Sequence, residues 1–217
     1  MRVIAGKYRS RLLKSLKGLA LRPTSDRLRE TLFNVLGAQI EGAHFLDIFA
    51  GTGAVGIEAL SRGAAEAVFI ENHPPAAALI RKNLESLGIR SGARASGFAL
   101  ENPESATVLA NDALRALSAL AARRKGQPAF THVFLDPPYA NADDYLRVLH
   151  FLAVAEFLAP VAIVVAEHRH TFELPARVSG LALASPDSNP FGSLQRIRVL
   201  KQGDAALSFY RRAASRA

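Results

Sequence analysis

Four consecutive residues, Asp136-Pro137-Pro138-Tyr139, bring together a carboxylate, two prolines and an aromatic ring. The prolines fix the backbone and remove two N–H donors, leaving carbonyl acceptors beside Asp136. Such a set suits a planar substrate with an exocyclic amino group: Asp136 and the Pro137 carbonyl accept its two hydrogens while Tyr139 stacks on the ring. An amino nitrogen conjugated to a purine is a poor nucleophile because its lone pair is delocalised. Two acceptors that favour a pyramidal nitrogen localise that pair and align it for attack on a methyl carbon. The plainer alternative for these four residues is a strand-to-loop turn.

A second group lies upstream. Phe45-Leu-Asp47-Ile-Phe49-Ala-Gly51-Thr-Gly53-Ala-Val-Gly56 fits Gly-x-Gly-x-x-Gly, and Glu71 follows Gly51 by twenty positions. An acid at that distance hydrogen-bonds a ribose hydroxyl in a nucleotide-binding α/β fold, so a dinucleotide site is the first hypothesis. Asp47 changes the balance. A carboxylate just before the loop repels a pyrophosphate but suits the α-ammonium of a methionyl group. S-adenosylmethionine carries an ammonium, a sulfonium and a ribose, with no phosphate. Asp47 and the Gly51–Gly53 turn are expected to take its methionyl end and Glu71 its ribose hydroxyls, with Phe49 and Asn72 also expected in the cofactor site. For Asp112, which follows Asn111, two readings stay open: an acceptor for the adenine amino group, or the N-cap of the next helix. The departing thioether is neutral, so no metal is expected.

These residues require a scaffold that alternates strands and helices. Apolar runs at 44–49, 67–71, 106–110, 132–135 and 161–166 predict strands, with helices near 54–62, 74–87, 112–124 and 142–153. That pattern is the mark of a Rossmann-like, doubly wound, mostly parallel sheet, whose strand ends carry the ligand-binding loops. Runs at 196–201 and 205–210 around Gln202-Gly203-Asp204 predict a terminal antiparallel hairpin. Residues 91–105 lack periodicity and read as a loop.

The chain has 217 residues and a formal charge of +8. Residues 1–29 hold nine basic side chains against one acid, and the remainder balances at 18 against 18. A neutral body with a basic head suggests one docking surface for a polyanion, most simply nucleic acid. Arg2, Lys7, Arg9, Arg11, Lys14, Arg22 and Arg27 are the expected contacts. Short apolar pieces around Gly6 and Ser10 predict a hairpin rather than the amphipathic helix of a transit peptide. Pro23-Thr24-Ser25, with Leu28, Leu32, Val35 and Leu36 on one face, predicts a helix over about 24–40. Residues 1–40 are thus expected to form an RNA-docking appendage and 41–217 the catalytic domain. With no Cys, disulfide frameworks, thiolate zinc sites and cysteine nucleophiles are excluded. No apolar run approaches the roughly 18 residues of a membrane span, and a cytoplasmic protein without membrane partner is expected.

Two smaller features read as structural. His168-Arg169-His170 lacks a third metal ligand and is expected to be solvated at a strand end. Ser188-Asn189-Pro190-Phe191 echoes an amino-methyltransferase motif but follows no convincing strand, and reads as a turn.

Asp136-Pro-Pro-Tyr139 with the glycine loop resembles class I S-adenosylmethionine-dependent amino-methyltransferases. The fuller pattern comprises Arg2-Val-Ile-Ala-Gly-Lys-Tyr8, Arg22-Pro-Thr-Ser-Asp-Arg27 with Arg29-Glu30, Leu46 to Gly53, and Gly56-Ile-Glu-Ala-Leu-Ser-Arg-Gly63. It is similar to the bacterial 16S rRNA guanine-N2 methyltransferase family (RsmD-like), over roughly residues 1–145. The resemblance implies a seven-stranded sheet with a reversed last strand. It also implies a target guanine in the small ribosomal subunit or its assembly intermediate, at position 966 in conventional numbering. Residues 91–105 are longer than that family's usual connection, which bears on Asp112. A monomer is expected.

Asp136 to Tyr139 alone does not separate guanine N2 from adenine N6, so an N6-adenine methyltransferase on DNA or RNA is the alternative. A sequence-specific DNA enzyme normally carries a separate domain to read the major groove, and about 22 N-terminal residues leave little room for one. A structured RNA suits a short basic head better. An NAD-dependent oxidoreductase and a non-catalytic RNA-binding assembly factor are the more distant alternatives.

Overall fold

The computed structural model describes residues 1–15, 25–92, 105–138, 142–180 and 192–213. The chain divides into two compact units, Met1–Ala113 and Leu114–Ala217.

In the N-terminal unit, residues 1–13 double back on themselves. Arg2 and Leu12 form an antiparallel bridge, and Val3 N–H donates to the Arg11 carbonyl at 3.0 Å. This is the expected small hairpin, as far as Ser15. Helix α1 (Asp26–Leu36) opens at Ser25, whose hydroxyl accepts from Leu28 N–H. It closes at Gly37, whose φ of 56° is natural only for glycine, and a 3-10 turn, Gly37–Ile40, follows. The helix expected over 24–40 is therefore two elements.

Three strands follow with their helices: β1 (His44–Ile48), α2 (Ala54–Ser61), β2 (Glu66–Glu71), α3 (Pro74–Ser86) and β3 (Ser105–Ala110). They run parallel in the order β3-β2-β1, with Asp47 opposite Phe69 and Glu71 opposite Ala110. Phe45, Leu46 and Ile48 on β1 and Ala67 to Ile70 on β2 are buried, the near-continuous apolar run of strands covered on both faces. Helix α2 is buried along its whole length, which suits its small and aliphatic composition. At Gly56 a Cβ would stand 2.3 Å from the Phe69 ring, so only glycine lets this helix lie so close to β2.

The C-terminal unit comprises α4 (Ala113–Arg123), β4 (Phe130–Leu135), α5 (Ala142–Val154), β5 (Leu158–Arg169), β6 (Arg177–Ser179), β7 (Ser193–Gln202) and β8 (Ala205–Ala213). Its strand order is β4-β5-β8-β7-β6, with β4 and β5 parallel and the remaining pairs antiparallel. The β7–β8 hairpin is the expected terminal one, turning with Gln202 opposite Ala205. The architecture is Rossmann-like α/β, parallel first and antiparallel at the C-terminus.

Three details differ from expectation. Eight strands are present among the described residues, where seven were expected; the extra one, β6, buries only Val178 of its three residues. Strand β5 extends to both sides of 161–166, because its polar end, Glu167 to Arg169, pairs with Leu207, Ala206 and Ala205 of β8. His168, expected in solvent, is 3% exposed, with Nε2 at 2.8 Å from Ser208 Oγ. Burial lowers its pKa. No three His, Asp or Glu side chains among the described residues are grouped to hold a metal. The loop expected at 91–105 lies mostly, and Ser188 to Phe191 wholly, outside the described residues.

Candidate active site

Strand β1 delivers Asp47 to the carboxyl edge of its sheet and the chain then turns sharply. Phe49, Gly51 and Gly53 take φ of 62°, 55° and 76°. A positive φ costs an aromatic residue about 1–2 kcal/mol, a strain that persists only where surrounding contacts fix the loop. Those contacts are visible. Ala50 N–H donates to the Ile70 carbonyl and Gly53 N–H to the Ala50 carbonyl. Gly51 N–H donates to Glu71 Oε2 at 2.8 Å, and Asn83 Nδ2 donates to the Thr52 carbonyl at 3.0 Å. Nothing lies within 4 Å of where a Gly51 Cβ would stand, which leaves room for a ligand beside the turn.

Two carboxylates border this turn. Asp47 is 1% exposed and its Oδ2 accepts from Gly56 N–H at 2.9 Å. Burial pushes its pKa from 3.8 up to about 7, against the pull of the Gly56 hydrogen bond and with a push from the Glu71 charge. A buried acid so poised is completed by a cation, and an ammonium group is of the right kind. Glu71 accepts from Gly51 N–H through one oxygen and from His73 N–H through the other, both at 2.8 Å. Each carboxylate oxygen retains a second lone pair, which suits a ribose hydroxyl. Asn72 follows on the exposed side. Asp112 stands exposed just before α4, with its N–H donating to Asn111 Oδ1 at 2.9 Å. The residues of this unit thus fit a ligand with an ammonium group and a ribose.

In the C-terminal unit, β4 ends at Leu135, and Asp136-Pro137-Pro138 leave at the carboxyl edge of its parallel pair with β5. Asp136 is half-buried, Pro137 buried and Pro138 exposed. Tyr139 lies outside the described residues.

The basic head is a built part of the N-terminal unit. Glu58 of α2 is fully buried, accepting from Ile4 N–H at 2.8 Å and Ala5 N–H at 3.0 Å. Arg62 Nε donates to the same carboxylate at 2.8 Å, and the Arg29 guanidinium lies 3.7 Å from it while donating to the Arg2 carbonyl. Ser61 accepts from Tyr8 N–H and donates to the Ala5 carbonyl. Asn83, fully buried, accepts from Lys14 N–H and donates to the Lys14 carbonyl. Hence Arg2, Lys7, Arg9, Arg11, Lys14 and Arg27 are exposed, whereas Arg29 belongs to the interior. Arg22 lies outside the described residues. The interior roles of Glu58, Arg29 and Asn83 escaped the sequence reading, although the first two stand in the quoted family pattern, since a side chain that binds distant backbone groups leaves no spacing signature.

A family model described as Conserved hypothetical protein 95 matches residues 1–189. The chain belongs to this family. A relative from Bacillus subtilis is 36% identical over 188 residues, covering 87% of this chain and 93% of its own. The Haemophilus influenzae protein named Ribosomal RNA small subunit methyltransferase D is 36% identical over 167 residues, 77% of this chain and 78% of that one. Among solved structures, a Thermus thermophilus protein described as hypothetical superposes with a TM-score of 0.72 at 27% identity, covering 97% and 99% of the two chains. Membership of the Conserved hypothetical protein 95 family bears out the resemblance drawn from the motifs.

Proposed function

We propose that the chain transfers a methyl group from S-adenosylmethionine to the exocyclic N2 of a guanine in 16S rRNA of the small ribosomal subunit. The observation that carries this reading is the family match, with relatives named for small-subunit ribosomal RNA methylation. The fit of the Asp47–Glu71 edge to an ammonium group and a ribose supports the choice of cofactor.

On this reading Asp47, Phe49, Gly51 and Gly53 hold the methionyl part, Glu71 and Asn72 the ribose, and Asp112 the adenine. S-adenosylmethionine, when bound, supplies an electrophilic methyl group and departs as a neutral thioether. Asp136 and the Pro137 carbonyl accept the two amino hydrogens of the target base, localising the nitrogen lone pair, while Tyr139 stacks on the ring. Pro138 removes a competing donor. Once alkylated, the nitrogen sheds a proton to Asp136 or water. Residues 1–40 dock the RNA through Arg2, Lys7, Arg9, Arg11, Lys14, Arg22 and Arg27, and residues 41–217 do the chemistry. The protein acts as a cytoplasmic monomer. No helix among the described residues is long and apolar enough to cross a membrane.

Transfer of tritiated methyl to small-subunit RNA, followed by nucleoside analysis, tests this. Label in N2-methylguanosine is expected; label in N6-methyladenosine sinks the guanine assignment. Thermal stabilisation by S-adenosylhomocysteine and not by NAD separates the reading from an oxidoreductase.

A further inference from the structure

Guanine N2 and adenine N6 both present amino hydrogens to Asp136 and the Pro137 carbonyl. The bases differ at the neighbouring ring atom: guanine N1 carries a hydrogen, adenine N1 a lone pair. A site that reads guanine therefore needs an acceptor beside the one that takes the amino group.

The C-terminal unit supplies one. Leu135 and Ala166 are partners in the parallel β4–β5 ladder, so Asp136 and Glu167 are the next residues on adjacent strands. Neighbouring strands lie roughly 4.8 Å apart. Alternation along β5 puts Glu167 on the face opposite Ala166, and the same alternation carried one residue past the end of β4 puts Asp136 on that face too. Glu167 is 5% exposed, and its backbone is fixed: it is opposite Leu207 of β8, and the buried Tyr145 hydroxyl donates to its carbonyl at 2.8 Å. His168 takes the other face, where its ring meets Ser208. A buried glutamate whose backbone is held this firmly at a strand end, next to the Asp136 motif, is placed to select a base.

We propose that Glu167 is a specificity-determining residue of this site, its carboxylate accepting N1–H of the target guanine while Asp136 and the Pro137 carbonyl accept the amino hydrogens. The proposal rests on the guanine-N2 reading above. An adenine in the same position sets its N1 lone pair against the carboxylate where guanine donates N1–H, a loss of about tenfold or more in rate.

The test uses small-subunit RNA carrying guanine or 2-aminopurine at the target. 2-Aminopurine keeps the amino group but has a lone pair at N1. Wild type is expected to favour guanine in kcat/KM. Glu167→Gln, whose amide donates to that lone pair, narrows or inverts the preference by about tenfold or more, with S-adenosylhomocysteine affinity unchanged. The same ratio in both proteins overturns the proposal. A second measurement needs no variant: RNA with hypoxanthine at the target, which keeps N1–H, should inhibit wild type more strongly than RNA with unsubstituted purine. Equal inhibition likewise overturns it. If wild type methylates adenine in place of guanine, the reading beneath the proposal fails instead.

Discussion

Replacing Asp47 with Asn removes a buried ionisable group while keeping an acceptor for Gly56 N–H. The wild-type carboxyl has a pKa of about 7 in the folded protein against 3.8 in a model compound, so the folded state binds a proton more tightly than the unfolded chain. The stability contributed by that proton is full below pH 3.8 and is lost as pH rises through about 7. A rise of this size corresponds to about 4 kcal/mol for a fully buried group. Asp47→Asn should therefore match wild type near pH 4 and exceed it by up to about 4 kcal/mol at pH 8, because the variant has no charge to bury. Urea denaturation of both ligand-free proteins across this range reads the difference. Stability curves that run parallel would refute the reasoning. The same group should make S-adenosylhomocysteine affinity rise with pH up to about 7 and level off above it. In Asp47→Asn that affinity should be weak and flat with pH.

Other outcomes follow from the head. Neutralising Arg9, Arg11 and Lys14, all exposed, should weaken RNA binding and lower its salt slope by about 2–3, with S-adenosylhomocysteine affinity nearly unchanged. Titration of binding against salt checks this, and equal loss of both affinities would point to misfolding. Gly6 has φ of 82°, and a Cβ there would stand 1.7 Å from the Ser61 carbonyl oxygen, a backbone atom. Gly6→Ala should thus displace the head from α2 and lower stability by about 1–3 kcal/mol, read by thermal unfolding. Glu58→Gln should cost about 1–3 kcal/mol, since it removes the buried charge that faces Arg62 and Arg29 and leaves Arg29 with Asp26 as its remaining ion pair among the described residues. Denaturant titration measures that loss.

The parallel strands and their helices were legible because each carries one period or one apolar run. β1 and β2 end within a residue of expectation, and Ser25 and Gly37 punctuate α1 as their chemistry requires. The start of β5 was hidden by Pro160 and the exposed Val161, and by a register shift between Phe130 and His132 of its partner β4. Its end was hidden because Glu167-His168-Arg169 look like a solvated tail until β8 is placed beside them. The candidate site was legible where backbone chemistry demands particular residues, as at Gly51, Gly53 and Asp136-Pro137-Pro138. It was not legible where one side chain serves distant backbone groups. Glu58 binds residues more than fifty positions away, and Asn83 joins Lys14 to Thr52. The head's charge also divides differently from its count, since Arg29 is spent on Glu58, Asp26 and the Arg2 carbonyl.

The central claim is met most directly by mapping modified nucleosides in 16S rRNA from a strain that lacks this gene. One N2-methylguanosine is expected to be missing, restored by the wild-type gene and not by Asp136→Ala, although that variant still binds S-adenosylhomocysteine. An unchanged set of N2-methylguanosines in the deletion strain, or restoration by Asp136→Ala, would contradict the account.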